Sequence, residues 1–521
     1  MNKKEQKPGK ELYQQLRRLS CDKLWNVEVP RFDRATPAER EARVAVIRAV
    51  GVVFSELGTP AQKAAARPWL RQLLHDPAEK VRRYAMAALP KLGAPADAEA
   101  ELLTLLKTTT VEREKKFLGQ TLEKIGGTAT LAELQAGAGG LSAQTELKVR
   151  ARVARGESPS VVSLSRVLGD FAGLRIHLRG RRGLEQIVRA EVEEYIRAHG
   201  KFRIEDVASG LVALTAIAPF SLGDIFSLRC FGTVGFVLGE VGAGAGDSAA
   251  EVEALASLIT SPLSRKLLTT FTEGSLRYRL DFAAKGHQRG AVRLVANRAY
   301  ALCPEILNDP RLAPWTISIC PAARGNTVEL VPHFTPDPRL RFRQQDVPAA
   351  SHPPLAACLA RLAGPMEDDV VWDPFCGSGL ELIERALLGG VRAIYGTDLS
   401  DEAIAASQKN FAAANVKSVP AKFVCADFLA FAKVPGLGLN SVTLVITNPP
   451  MGRRVQLPDL RGLIANLLAV AAAVLRPGGR LVFANPVTLG NLPRSLKLES
   501  SVVVDMSGFD CRLEAYRKVA G

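Results

Sequence analysis

Over the first ~165 positions apolar residues recur at i, i+3 and i+4 without strand-like alternation, which predicts a helical region. Within it Phe54 to Gly58, Leu89 to Gly93 and Leu122 to Gly126 share an ending of an apolar residue and Gly. They recur at steps of roughly 33–35 residues, a period suited to stacked helix pairs. Gly137, Gly139 and Gly140 then loosen the chain ahead of Pro159. From about Ala172 the pattern becomes mixed: Leu174 to Leu178 alternates as a strand, Arg179 to Gly183 turns the chain, and Leu184 to Ala198 is an amphipathic helix. Further strands are predicted at Leu211 to Ile217, Leu228 to Leu238, Leu276 to Phe282, Trp315 to Cys320 and Thr327 to Val331, with helices at Ala249 to Thr260 and Gly290 to Leu302. From about Arg341 strand, turn and helix alternate as in an open doubly wound α/β sheet. The expected fold is therefore multidomain: an all-α repeat region over 1–165, an α+β region over 172–338 and a Rossmann-like α/β domain over 339–521.

Length agrees with this division, since 521 residues exceed what one core accommodates. The charge adds a partner. With 68 Lys and Arg against 53 Asp and Glu, a net charge of +15 favours a polyanion, because each neutralised phosphate releases condensed counterions. The eight cysteines are scattered, with no C-x-x-C pair and no His at ligand spacing, which argues against a disulfide framework and against a metal site. Met1 to Lys10 is polar and Lys-rich, and no uncharged apolar stretch is long enough to span a bilayer. A reducing cytoplasm is the expected location, with no membrane association.

The chemistry concentrates at strand ends in the last third. A buried strand at Val370 to Asp373 runs into Pro374-Phe375-Cys376-Gly377-Ser378-Gly379, a glycine turn that opens a helix near Leu380. Glycine permits the close backbone approach and unusual dihedrals that a bound ligand demands. Asp373 suits a cationic ligand end, and the Lys of a phosphate-binding P-loop is absent, which points away from ATP. Asp398 closes the next strand, Ile394 to Asp398, where a carboxylate can accept both hydroxyls of a ribose; Leu399 beside it could pack on a base. Asp427 and Phe428 end a third strand. Thr443 to Thr447 forms a fourth, followed by Asn448-Pro449-Pro450-Met451. There a side-chain oxygen and a rigidly held carbonyl can accept both hydrogens of a planar amino group and free the nitrogen lone pair for attack.

Asp373 to Gly379 closely resembles the first motif of class I S-adenosylmethionine-dependent amino-methyltransferases. The resemblance implies that Asp373 contacts the methionine part of the cofactor, Asp398 the ribose and Asp427 the adenine amino group, with Phe428 nearby. It also implies that Asn448, Pro449, Pro450 and the next residue address the substrate amino group. The family usually carries an aromatic at the fourth position. Met451 departs from it and covers a base face less firmly, through a polarizable thioether. The helix after His352 resembles one that packs beside the methionine end of the cofactor.

Upstream, Arg182 to Glu185, Arg277 to Asp281, Arg289 to Val292 and the two strands before Pro332 resemble, in that order, a ferredoxin-like module with a THUMP domain. Leu74 to Pro77 followed by Val81-Arg82 and Ala85 to Leu89 resembles a HEAT repeat, with Asp76-Pro77 starting the second helix and Arg82 on its polar side. Together these imply a THUMP-type RNA guanine-N2 methyltransferase acting on tRNA or large-subunit rRNA, with an added helical domain that could hold a protein partner. Arg179, Arg181, Arg182, Arg277, Arg289, Arg339, Arg341, Arg343, Arg453 and Arg454 are the candidate RNA contacts. The Asn-Pro-Pro motif also serves DNA and protein-glutamine methylation, against which the THUMP-like module argues. A catalytically weak RNA-binding or assembly factor is the remaining alternative; Met451 hints at it, and the full set Asp373, Asp398, Asp427 and Asn448 argues against it.

Overall fold

The computed structural model describes residues 8–93, 96–137, 140–157, 159–242, 248–283, 288–348, 350–416, 418–452, 458–488 and 492–519. The first part is helical, as its apolar spacing demands. Helices α1 (Ala45–Leu57), α2 (Glu79–Ala88), α3 (Glu112–Ile125) and α4 (Ala143–Glu157) pack each on the next. A separate core of Leu, Val, Phe and Ala side chains holds α1 to α3 together. Asp76 bonds the Ala78 amide at 2.8 Å ahead of α2. Arg82 is half-buried: it pairs with Glu114 of α3 and bonds the Asp76 carbonyl at 2.8 Å, so its charge joins neighbouring helices. α4 docks on the second part through Leu147, which packs with Ala296, Tyr300 and Leu307, and through an Arg155–Asp309 ion pair of 3.3 Å.

The second part is built on one eight-stranded sheet. Its strands are β1 (Arg175–Arg179), β2 (Phe202–Ala208), β3 (Leu211–Ala216), β4 (Thr233–Val241), β5 (Leu276–Phe282), β6 (Ile306–Asn308), β7 (Trp315–Ala322) and β8 (Gly325–Pro332), in the order β6-β5-β7-β8-β4-β1-β3-β2. Helix α5 (Glu185–His199) follows β1, and α6 (Ala249–Ile259) and α7 (Arg289–Leu302) pack on each other. One expectation needs correction, and one strand went unpredicted. The apolar run at 228–232 is a loop and not the start of a strand: the Arg229 and Cys230 amides both donate to Glu191 of α5, at 2.9 Å each. β2 escaped the sequence pattern because it is an edge strand with one buried residue, and a register shift between Ile204 and Asp206 breaks its alternation.

The third part is a seven-stranded sheet of β9 (Asp369–Asp373), β10 (Val391–Asp398), β11 (Ala421–Cys425), β12 (Val442–Thr447), β13 (Leu475–Asn485), β14 (Leu496–Asp505) and β15 (Asp510–Lys518). The order is β11-β10-β9-β12-β13-β15-β14, parallel up to β13, with β15 antiparallel between β13 and β14. Its helices include α8 (Pro353–Ala363), α9 (Leu380–Leu387), α10 (Asp401–Ala413) and α11 (Leu460–Val474). Chain direction away from β9 reverses between β10 and β12, so the crevice above the C-terminal ends of β9 and β12 is the topological switch point.

The second and third parts share a continuous apolar core and are clamped by charge. Arg229 donates to both Glu384 oxygens, at 2.6 and 2.7 Å, and Arg361 of α8 bonds Glu191 at 3.1 Å and Glu194 at 2.6 Å. The turn after β1 lies directly on β14: a Cβ at Gly183 (φ 97°) would sit 1.9 Å from the Val503 carbonyl oxygen, so only glycine fits.

Candidate active site

β9 delivers Asp373 to the switch point fully buried. Its Oδ1 accepts from the Thr447 hydroxyl at 2.6 Å and from the Phe375 amide at 3.0 Å, whereas Oδ2 is buried with no partner among the described residues. Burial, reinforced by the neighbouring Glu381 carboxylate, pushes the Asp373 carboxyl well above the ordinary range. A buried, unpaired acceptor beside a crevice is the signature of a site built for a donor that comes from outside.

The glycine turn is held from below. Cys376 donates its amide to Thr397 at 2.9 Å and Gly379 its amide to Cys376 at 2.7 Å. Asn410 of α10 donates to the Ser378 carbonyl at 2.9 Å. Gly379 caps α9 at φ 81°, and a Cβ there would meet Ser407 at 3.3 Å, so the turn needs glycine for conformation and for space. Pro374 and Cys376 are buried in this turn, with the Pro374 carbonyl accepting from the Thr397 hydroxyl at 3.3 Å.

Asp398 ends β10 beside the turn and accepts from the Gly377 amide at 3.0 Å and the Ser400 amide at 3.0 Å. Leu399 is 75% exposed next to it. Asp427 is exposed just beyond β11 and accepts the Leu429 amide at 2.9 Å. The Phe428 and Phe375 rings lie 4.8 Å apart between it and the turn. The three carboxylates and the glycine turn therefore line adjacent strand ends, and the residues expected around a cofactor are brought together.

Asn448 follows β12. Its Nδ2 donates to the Ser351 hydroxyl at 2.8 Å, and Ser351 in turn donates to Glu381 in the first turn of α9. Asn448 Oδ1 is buried and has no partner among the described residues. Pro449 is buried, Pro450 half-buried, and Met451 packs against the shared core. Burial pushes the Glu381 carboxyl up to about 7. Ser351, Glu381 and Thr447 went unrecognised in the sequence. A Ser two residues before the prolines of α8 and a Glu on a buried helix face carry no motif; the one signal in the sequence is a carboxylate, Glu381, among the apolar Leu380, Leu382 and Ile383.

The arginines divide. Arg289 and Arg341 are exposed. Arg277 and Arg339 are corrections: they are 3% and 8% exposed, with Arg277 paired to Asp309 at 3.3 Å and Arg339 to Asp337 at 2.7 Å, so neither presents a guanidinium to a phosphate. Arg179 is tied to the buried Glu329. Arg182 pairs with Asp505 at 2.6 Å, and Arg181 bonds the Asp505 carbonyl at 3.1 Å and Ser507 at 3.0 Å, so this turn fastens two sheets together. Arg343 pairs with Asp346 at 2.6 Å. Arg453 and Arg454 lie outside the described residues.

Residues 341–495 match the RMKL-like methyltransferase domain family. The chain is 31% identical over 155 residues to a tRNA (guanine(10)-N2)-dimethyltransferase of Methanocaldococcus jannaschii, covering 28% of this chain and 41% of that one. It is 31% identical over 135 residues to a probable tRNA (guanine(10)-N2)-dimethyltransferase of Methanothermococcus thermolithotrophicus, covering 25% of this chain and 78% of that one. The crystal structure of TrmN from Thermus thermophilus superposes with a TM-score of 0.52 at 19% identity, covering 66% of this chain and all of that one, which shows a shared fold. The chain thus spans under half of the first relative and most of the second, and through its RMKL-like domain it belongs to the class I S-adenosylmethionine-dependent RNA (guanine-N2) methyltransferases.

Proposed function

We propose that this protein transfers a methyl group to the exocyclic N2 of a guanine in structured RNA, tRNA or large-subunit rRNA. The observation that carries it is the pair of buried, unpaired acceptors, Asp373 Oδ2 and Asn448 Oδ1, at the ends of adjacent strands β9 and β12. One is charged when deprotonated and suits a cation; the other is neutral and suits an amino group. S-adenosylmethionine fits this donor set: Asp373 would take its ammonium, Asp398 its ribose hydroxyls and Asp427 its adenine amino group, with Leu399, Phe375 and Phe428 around the base. When bound, it supplies an electrophilic methyl on a sulfonium. The protein's own part is orientation. Asn448 Oδ1 and the Pro449 carbonyl accept the two amino hydrogens, which localises the nitrogen lone pair, and Pro449 and Pro450 hold that carbonyl still. No step calls for a metal, and among the described residues no cluster of His, Cys, Asp or Glu is arranged to hold one.

The order of strands and helices in the second part supports reading 172–338 as a ferredoxin-like module with a THUMP domain that grips RNA. The stack of α1 to α4 supports reading 1–165 as HEAT-like, with a surface for a partner, and 339–521 as the catalytic domain. Exposed Arg289 and Arg341, with Arg453 and Arg454, are the remaining candidate phosphate contacts. Among the described residues no helix is long and apolar enough to cross a membrane.

The test is incubation of the protein and S-adenosylmethionine with unmodified tRNA, rRNA and DNA, followed by nucleoside mass spectrometry. N2-methylguanosine in RNA supports the proposal; N6-methyladenine in DNA, or methyl transfer to protein alone, refutes it.

A further inference from the structure

An asparagine carboxamide has two nearly isosteric faces, one accepting and one donating. Facing an amino group, only the oxygen face is productive; the flipped amide sets donor against donor. A device that decides the flip therefore decides whether Asn448 can work, and the structure contains one. Asn448 Nδ2 donates to Ser351 Oγ at 2.8 Å, and Ser351 Oγ donates its hydrogen to Glu381. Glu381 is 3% exposed, so bulk water does not compete for that contact. With its one hydrogen committed to a carboxylate, Ser351 has only lone pairs to offer Asn448. It can receive Nδ2 and cannot bond Oδ1. The carboxamide oxygen is left buried and unpaired, on the side away from Ser351.

We propose that Ser351 and Glu381 are positioning residues that lock the Asn448 carboxamide with its oxygen presented to the substrate amino group. The lock is directional because each member has a single role: Glu381 accepts, Ser351 passes the direction on, and Asn448 obeys it. The direction holds while Glu381 accepts from Ser351, as the ionised carboxylate must; a protonated Glu381 that donated to Ser351 would free that hydroxyl to turn towards Asn448 Oδ1. The elements involved come from three places in the chain: the segment before α8, the first turn of α9 and the end of β12. The lock therefore forms only when the domain is assembled. This inference rests on the reading of Asn448 as the residue that accepts the amino group.

A double substitution separates orientation from mere support. Aspartate at 448 has two equivalent oxygens and no flip to decide, so Ser351→Ala should matter with Asn at 448 and matter little with Asp. In the Asn448 background, Ser351→Ala should lower kcat about tenfold, the worth of one hydrogen bond, and leave KM and the affinity for S-adenosylhomocysteine unchanged. Glu381→Gln should act in the same direction, since its amide can donate to Ser351 and turn that hydroxyl towards Asn448 Oδ1. In the Asn448→Asp background, Ser351→Ala should cost less than about threefold. Equal losses in both backgrounds would overturn the lock and leave Ser351 a packing residue. A readout independent of turnover is the side-chain amide of Asn448 by NMR. Its protons should exchange slowly in the wild-type protein and at least tenfold faster in Ser351→Ala; no change in exchange would also overturn the lock. If the wild type transfers no methyl to RNA, the functional reading falls, and this exchange measurement still judges the lock.

Discussion

Asp373→Asn changes one atom and separates cofactor binding from stability. In the native protein Oδ1 is occupied by the Thr447 hydroxyl and the Phe375 amide, and these bonds survive if the Asn oxygen takes that place. Nδ2 then replaces the unpaired Oδ2 and points a donor where a carboxylate faced the crevice. A hydrogen bond to a charged group contributes about 1.5–3 kcal/mol, so the affinity for S-adenosylhomocysteine should fall roughly 10- to 150-fold. The unliganded protein should not lose stability, because the substitution removes a buried carboxyl whose charged form burial already disfavours. Proton linkage supplies a second signature. Since the Asp373 carboxyl holds its proton well above the ordinary range, pairing it with a cation expels that proton. Wild-type affinity should therefore rise with pH through the raised value, and the binding enthalpy should vary with buffer ionisation enthalpy; both effects should shrink in Asp373→Asn. Isothermal titration in two buffers and thermal melting of the unliganded protein test this. Affinity within twofold of wild type, or a melting point lowered by more than a few degrees, would refute the reasoning.

Gly379→Ala forces a side chain into the left-handed region at φ 81° and against Ser407, which should cost about 1–2 kcal/mol or more in urea unfolding and also weaken cofactor binding. Arg229→Ala strands Glu384, whose side chain is 2% exposed and whose carboxyl burial already raises, and should destabilise by about 3–5 kcal/mol while that carboxyl is ionised and by less as falling pH returns its proton; a loss independent of pH would contradict this. Glu381 is raised from 4.5 to about 7, so the folded state binds more protons than the unfolded chain between those values. Its contribution to stability is present at low pH and lost as pH rises through about 7, roughly 3 kcal/mol in all, and this slope in denaturation against pH should disappear in Glu381→Gln. Charge reversal at Arg289 and Arg341 together should weaken RNA binding and flatten its salt dependence, whereas an unchanged salt slope would remove both from the phosphate path.

How far the sequence reaches is instructive at the level of single residues. Strands buried on both faces, such as Val370 to Asp373 and Thr443 to Thr447, announce themselves as apolar runs ending in the residues that work, so the site skeleton was legible. The same logic misled at Leu228 to Gly232, where an apolar run is buried against α5 and α8 instead of within a ladder. Edge strands β2 and β14 left little trace, because each has a register shift that breaks alternation and few buried residues. Charge was legible as a total but not as a surface: Arg277 and Arg339 count towards +15 yet lie inside, each matched to an aspartate distant or adjacent in sequence. The Glu381–Ser351–Asn448 chain joins three separate segments, and nothing short of the assembled fold brings them together.

The most direct test of the central claim is nucleoside mass spectrometry of tRNA and rRNA from cells with and without the gene. The account predicts loss of one N2-methylguanosine, restored by the wild-type protein and not by Asn448→Ala. An unchanged nucleoside profile, or restoration by Asn448→Ala, would contradict it.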